Sequence, residues 1–212
     1  MGVYKLSTAG GLKTPRTNYS SFLAGNPAVE FTSYESISTV TVGSGGSSSI
    51  EFTSIPSTYT HLQIRGILQT NRSSYIVDLT KIQFNNDTAA NYSGHNLYGG
   101  YNTTPNVNAS ANTSASYMAF QALNSGVGAN IFTGVVMDIL DYANTNKYKT
   151  VRNLQGFDVN GTVGTGSLGG TIALSSGNWR STNAITSVKI SMIDGTLFNQ
   201  YSSLALYGIK GA

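Results

Sequence analysis

The chain has 212 residues and a mass of 22.4 kDa, enough for one domain with a full hydrophobic core. Charged residues make up only 10% of it, and Ser, Thr and Asn together about a third; soluble proteins ordinarily carry about 25% charged residues. There is no cysteine, which excludes a disulfide framework. Twenty-four glycines, thirteen tyrosines and no long amphipathic helical pattern predict an all-β protein of many short strands.

The net charge of +3 lies at the N-terminus, because the first 29 residues contain Lys5, Lys13 and Arg16 and no acid. Three basic residues are too few to hold nucleic acid firmly. No stretch is long and apolar enough to span a bilayer, and the first residues lack the apolar segment of a signal peptide. We therefore expect protein partners, no nucleic acid and no membrane, for a chain made in the cytoplasm of its host.

Residues 1–29 are predicted to form an extended docking arm, because glycines and prolines interrupt every periodic pattern there. Its apolar residues are too many for a solvated linker and too scattered for a core of their own. They either pack along the arm's own domain or dock on a neighbouring subunit. The residues of this assembly arm are Tyr4, Lys5, Leu6, Leu12, Lys13, Arg16, Tyr19, Phe22 and Leu23.

The stretch from Glu35 to Leu68 has the pattern of a β meander with a glycine turn at residues 43–46. In its last strand His61 and Arg65 share one face with other polar residues, which predicts that this face is exposed to solvent or lies in an interface. His61 is interpreted as a surface or strand-pairing residue, since the only other histidine, His95, falls in a predicted loop.

A strand predicted at residues 75–84 runs into Asn85, Asn86 and Asp87. This cluster is interpreted as a turn rather than a calcium site, because the EF-hand spacing and its closing glutamate are missing. Residues 99–116 are predicted to form a long polar loop, followed by a strand at 117–123.

The hairpin at residues 130–156 is the longest stretch that indicates paired strands. Apolar residues at both odd and even positions between Asn130 and Asp141 predict a central strand covered on both faces. A turn at residues 143–146 and a returning strand at 147–155 follow. With strands at 171–174, 184–192 and 202–209 after a loop at 160–170, nine or ten strands predict a single jelly-roll-like antiparallel β-sandwich over residues 30–212.

Motifs for catalysis, cofactors and metals are missing, so no catalytic, cofactor-binding or metal-binding residue is assigned. Asp138 and Asp141 make an awkward carboxylate pair, because three residues apart on a strand they point to opposite faces. A glycan platform of Tyr98, Tyr101 and Trp179 is weighed against the commoner role of aromatic residues in core packing and subunit contacts.

Four runs of sequence resemble a group of proteins encoded by tailed bacteriophages, particularly those of marine and cyanobacterial hosts. They are YTHLQIRG (59–66), MDILDYANTNKYKT (137–150), SGNWRSTNAITSVKI (176–190) and ALYGIKGA (205–212), and the opening KLSTAGGLKTPRTNYSSFLAGN is similar too. The resemblance implies a non-enzymatic virion structural protein, a homo-oligomer that binds the major capsid protein or other virion proteins. Capsid decoration is the first expectation, and a tail fibre that recognises a host glycan is the alternative.

Overall fold

A computed structural model describes residues 33–73, 77–100, 106–124, 130–159, 170–194 and 196–210. All of its strands belong to one compact unit, Tyr34–Ala212. The nine residues of the predicted assembly arm lie outside the described residues, as do Tyr101 and nearly all of the predicted loop at 160–170.

The described residues form twelve strands and no helix, which confirms the all-β fold. The sequence predicted nine or ten strands. The twelve are β1 (Tyr34–Thr41), β2 (Ser49–Phe52), β3 (His61–Thr70), β4 (Val77–Phe84), β5 (Tyr92–Gly100), β6 (Asn106–Ala115), β7 (Met118–Asn124), β8 (Thr133–Leu140), β9 (Lys149–Asp158), β10 (Gly170–Trp179), β11 (Val188–Met192) and β12 (Ser203–Ile209).

The strands form two antiparallel sheets that enclose the core, as the sandwich prediction requires. The large sheet has the order β1-β12-β3-β8-β9-β10-β5-β6, and the small sheet has the order β2-β11-β4-β7. The sheets join where Gln69 and Thr70, at the end of β3, pair in parallel with β7. Core side chains come from both sheets, for example Leu62 and Met137 from the large one and Ile82 from the small one.

The predicted central strand is β8, which lies between β3 and β9 in the middle of the large sheet. Val135, Met137 and Ile139 are buried in the core, and the predicted turn and returning strand follow. The side chains of Val136 and Leu140 on the opposite face are only half-buried. The outer face of this strand is therefore covered only in part by its own subunit.

The predicted meander at residues 35–68 is wrong in its pairing, because β1 pairs with β12 and β2 pairs with β11. The glycine turn carries the chain from the large sheet to the small one. Gly45 and Gly46 both have positive φ, and a Cβ on Gly46 would lie 2.7 Å from the carbonyl oxygen of Phe198. Alternation within a strand predicts its two faces but not its partner.

The prediction of a polar loop at residues 99–116 is also wrong, because β6 occupies most of that stretch. His95, likewise expected in a loop, lies on β5. The segment that forms β6, NVNASANTSA, alternates polar residues with the apolar residues Val107, Ala109 and Ala111, but these side chains are too small to give a clear strand signal. It forms a strand at the edge of the sheet by pairing with β5.

Candidate functional site

The outer face of the large sheet exposes two adjacent rows of uncharged residues, which we call the apolar face. The register of β8, β9, β10 and β5 aligns Val136, Leu154, Leu174 and Leu97 in one row. The next row along the same strands, continued onto β3, contains Ile67, Gly134, Gly156, Ile172 and Gly99.

The large side chains of the apolar face are open to solvent. A monomeric soluble protein rarely exposes a contiguous apolar patch larger than a few hundred Å². Such a patch marks a surface that another molecule covers. The exposed fractions are 61% for Ile172, 49% for Leu97, 49% for Leu154, 48% for Leu174 and 43% for Ile67.

Beneath this face, the middle of β9 and the middle of β10 have the reverse of the usual pattern. Asn153 and Gln155 of β9 and Ser175 of β10 point inward and are 1%, 4% and 1% exposed. The neighbouring residues Leu154 and Leu174 point outward. At these neighbouring positions polar side chains face the core and large aliphatic side chains face solvent, whereas Val151 and Trp179 at the ends of the same strands are ordinary apolar core residues.

Polar and aromatic residues border the apolar face on one side. The Nε2 atom of Gln63 donates to Oδ1 of Asp138 at 2.7 Å, and Nη2 of Arg152 lies 3.4 Å from Oδ2 of the same carboxylate. The rings of Tyr34 and Tyr207 stack at 4.7 Å between centroids. Asp138 thus takes part in a polar network, at the border of the face rather than in the core.

Trp179 lies in the core, so the glycan-platform interpretation is wrong for this residue. Its side chain is 1% exposed, its ring packs against Phe84 and Tyr92, and its Nε1 atom donates to Oδ2 of Asp87 at 2.7 Å. Tyr98 is half-buried on β5, six residues beyond Tyr92, the register partner of Trp179. Six residues along a strand span about 20 Å, too far for one sugar ring to contact both.

Asn85, Asn86 and Asp87 form the predicted turn, with positive φ at both asparagines. Partial burial raises the pKa of Asp87, but hydrogen bonds from Asn91, the Ala89 amide and Trp179 outweigh it and hold that pKa below its ordinary value. Asp87 therefore joins the connection between β4 and β5 to the core. Within the described residues no three acidic or histidine side chains are grouped to hold a metal ion.

The remaining candidates for acid–base chemistry have structural partners. His61, at the start of β3, accepts a hydrogen bond at Nδ1 from the backbone amide of Asp141 at 2.9 Å, so its side chain links β3 to the turn after β8. The carboxylate of Asp141 accepts from Lys147 at 2.7 Å within the turn, and this hydrogen bond lowers its pKa. Asp138 and Asp141 bind different partners, but the prediction of opposite faces is wrong. Asp141 lies in the turn after β8, and both carboxylates approach the same face of β3, at Gln63 and His61.

Lys149 is a buried cation that the sequence reading missed. Its side chain is fully buried, and Nζ donates to the backbone carbonyl oxygens of Asn144, Lys147 and Thr182 at 2.6, 2.8 and 3.2 Å. Burial lowers the pKa of Lys149. The residue fastens the β8–β9 turn to the segment after β10, which is a structural role.

No protein-family model, curated protein or solved structure matches this chain. Among the described residues, no helix could cross a membrane. The apolar face is thus the feature of the described residues that most directly indicates a function.

Proposed function

We propose that this protein is a non-enzymatic structural component of a tailed-bacteriophage virion, and that it decorates and stabilises the capsid. The reversed pattern of β9 and β10 is the observation that carries the proposal. Fully burying a leucine or isoleucine contributes roughly 1.5–3 kcal/mol. Five such side chains about half exposed leave a substantial part of this energy to be recovered on assembly with another protein.

The resemblance to phage virion proteins supports the virion as the place of assembly. Its four runs fall on β3, on the β8–β9 hairpin, on the segment from β10 to β11, and on β12. Three of these regions contribute strands to the middle of the large sheet. The similar sequences therefore lie beside the apolar face on the same strands, although none of the nine residues of that face falls within them.

The proposed partners are the major capsid protein or other virion proteins and further copies of the chain. The nearly neutral, hydroxyl-rich composition suits a subunit packed among neighbours, because few charges lose their hydration on assembly. The arm at residues 1–29 gives a second means of attachment, since its stretch from Met1 to Pro27 would span on the order of 90 Å if fully extended. Binding at two places raises the effective concentration of each contact.

The alternative function, a tail-associated fibre or receptor-binding protein, loses one of its proposed sugar contacts because Trp179 is in the core. The copy number and location of the protein distinguish the two functions. A decoration protein is present in hundreds of evenly spaced copies on the head, whereas a tail protein is present in a few copies at one vertex.

Cryo-electron microscopy of virions from the encoding phage, with and without the gene, tests this proposal. We expect difference density at regular positions on the head, and particles without the gene that lose DNA at a lower temperature. Particles identical in both preparations would contradict the proposal. Density confined to the tail would establish the alternative.

A further inference from the structure

We propose that two copies of this chain pack face to face through the apolar face, with β9 of one copy running antiparallel over β9 of the other. This inference concerns the isolated protein and does not rest on a role in the virion. The residues in the two rows of the face complement each other.

A two-fold axis that lies between the packed sheets and runs across the strands exchanges the two rows. The axis crosses β9 at Gln155. Leu154 and Gly156 lie one residue to either side of it, so Leu154 faces Gly156 of the second copy. On β5, Leu97 meets Gly99. Each leucine thus faces a position without a side chain, and aligned sheets can approach to about 10 Å.

The same exchange fits the other two central strands. On β8, Val136 meets Gly134 of the second copy. On β10, Leu174 meets Ile172, so two large side chains make contact on this strand. On these four strands the face is therefore self-complementary, as an interface between identical subunits requires, and on β3 the exchange places Ile67 opposite Arg65 of the second copy.

Charges at the ends of β9 select this orientation. Arg152 and Asp158 are both exposed on the outward side of β9, one on either side of the two rows. The exchange places Arg152 opposite Asp158 of the second copy, and the symmetry makes this contact twice. An axis along β9 would instead place Arg152 against Arg152, which is unfavourable.

The size of the face suits a dimer of modest affinity. The five strands β3, β8, β9, β10 and β5 span about 20 Å, and the seven residues from Arg152 to Asp158 also span about 20 Å. Their product, about 400 Å² in projection, is about half of the roughly 800 Å² per partner of a standard interface.

A charge-exchange series measured by sedimentation equilibrium on the full chain tests the orientation. Arg152→Asp and Asp158→Arg each place like charges opposite each other, so we expect each to weaken dimerisation about tenfold. The double variant restores opposite charges and should return to within about threefold of wild type. A wild-type protein that is monomeric up to about 100 µM, or a double variant no better than either single one, would overturn the proposal.

Gly134→Val separates association from folding. Among the described residues other than its chain neighbours, the nearest atom to a Cβ on Gly134 is the Gly156 carbonyl oxygen at 3.8 Å, so the monomer should accept the change. In the dimer the new side chain fills the gap that receives Val136 of the second copy. We expect dimerisation to weaken at least tenfold while the unfolding temperature of the monomer is unchanged or higher.

Leu154→Ser should likewise weaken dimerisation, and Leu79→Ser is its matched control. Leu79 is also exposed, at 37%, but lies on β4 of the small sheet. Unchanged association in both Gly134→Val and Leu154→Ser would show that copies meet through another surface. Equal losses in Leu154→Ser and Leu79→Ser would also contradict the apolar face as the contact.

Discussion

At the scale of single residues, Lys149 shows how an interior can accept a charge. A buried ammonium group is costly unless its donors are all used. Here three carbonyl oxygens accept from Nζ, and each belongs to a turn or connection between strands. The lysine therefore takes the place of backbone hydrogen bonds that irregular segments cannot make for themselves.

We expect Lys149→Met to lower the free energy of unfolding by about 2–4 kcal/mol, because it leaves buried carbonyl groups unpaired. Lys147→Met is the matched control, since Lys147 is exposed and only pairs with Asp141 at the surface. That change should cost less than about 1 kcal/mol. Urea unfolding of the two variants checks the difference, and equal losses would contradict the structural role of Lys149.

At the scale of elements, the connection from β4 to β5 carries the chain from the small sheet to the large one. Asp87 holds it through hydrogen bonds from Trp179, Asn91 and the Ala89 amide. The hydroxyl of Tyr92 adds a hydrogen bond to the Asp87 carbonyl, and burial raises the pKa of Tyr92 to about 12. The connection between β4 and β5 therefore depends on the ionised carboxylate of Asp87 and the neutral phenol of Tyr92.

The lowered pKa of Asp87 predicts a pH dependence. Its stabilisation is fully present above the ordinary aspartate pKa, near 3.8, and is lost as the pH falls through the lower pKa of the folded state. Asp87→Asn should cost about 1–2 kcal/mol at pH 7, and progressively less below about pH 4. Urea unfolding of both proteins from pH 7 to pH 2.5 measures the difference. A constant difference across this range would show that ionisation of Asp87 does not contribute.

Elements that are adjacent in the chain can be predicted from the sequence, whereas pairing between distant strands cannot. The β8–β9 hairpin was predictable because the strand, its turn and its return are adjacent in the chain. The partners of β1 and β2 were not, since pairing between distant strands leaves no local signal. The apolar face was missed for a physical reason. Leucines such as Leu154 and Leu174 are usually core residues, and only the three-dimensional structure shows that Asn153 and Ser175 occupy the inside instead.

At the scale of the whole molecule, the compact unit Tyr34–Ala212 contains every described strand. We therefore expect deletion of Met1 to Gly25 to leave the unfolding temperature nearly unchanged but to abolish binding to virions that lack the protein. Calorimetry and co-sedimentation with such virions measure the two effects, with the full chain as control. Loss of folding, or binding as tight as that of the full chain, would contradict a docking role for the arm.

The first and last strands of the sandwich are neighbours, because Tyr34 at the start of β1 pairs with Ile209 at the end of β12. Tension applied between these two residues would open the β1–β12 ladder like a zipper, one pair of hydrogen bonds at a time. Tension along β3 would have to shear the ladders on both of its sides together. A subunit held by its two ends would therefore release β1 at low force while the centre of the sandwich stays closed.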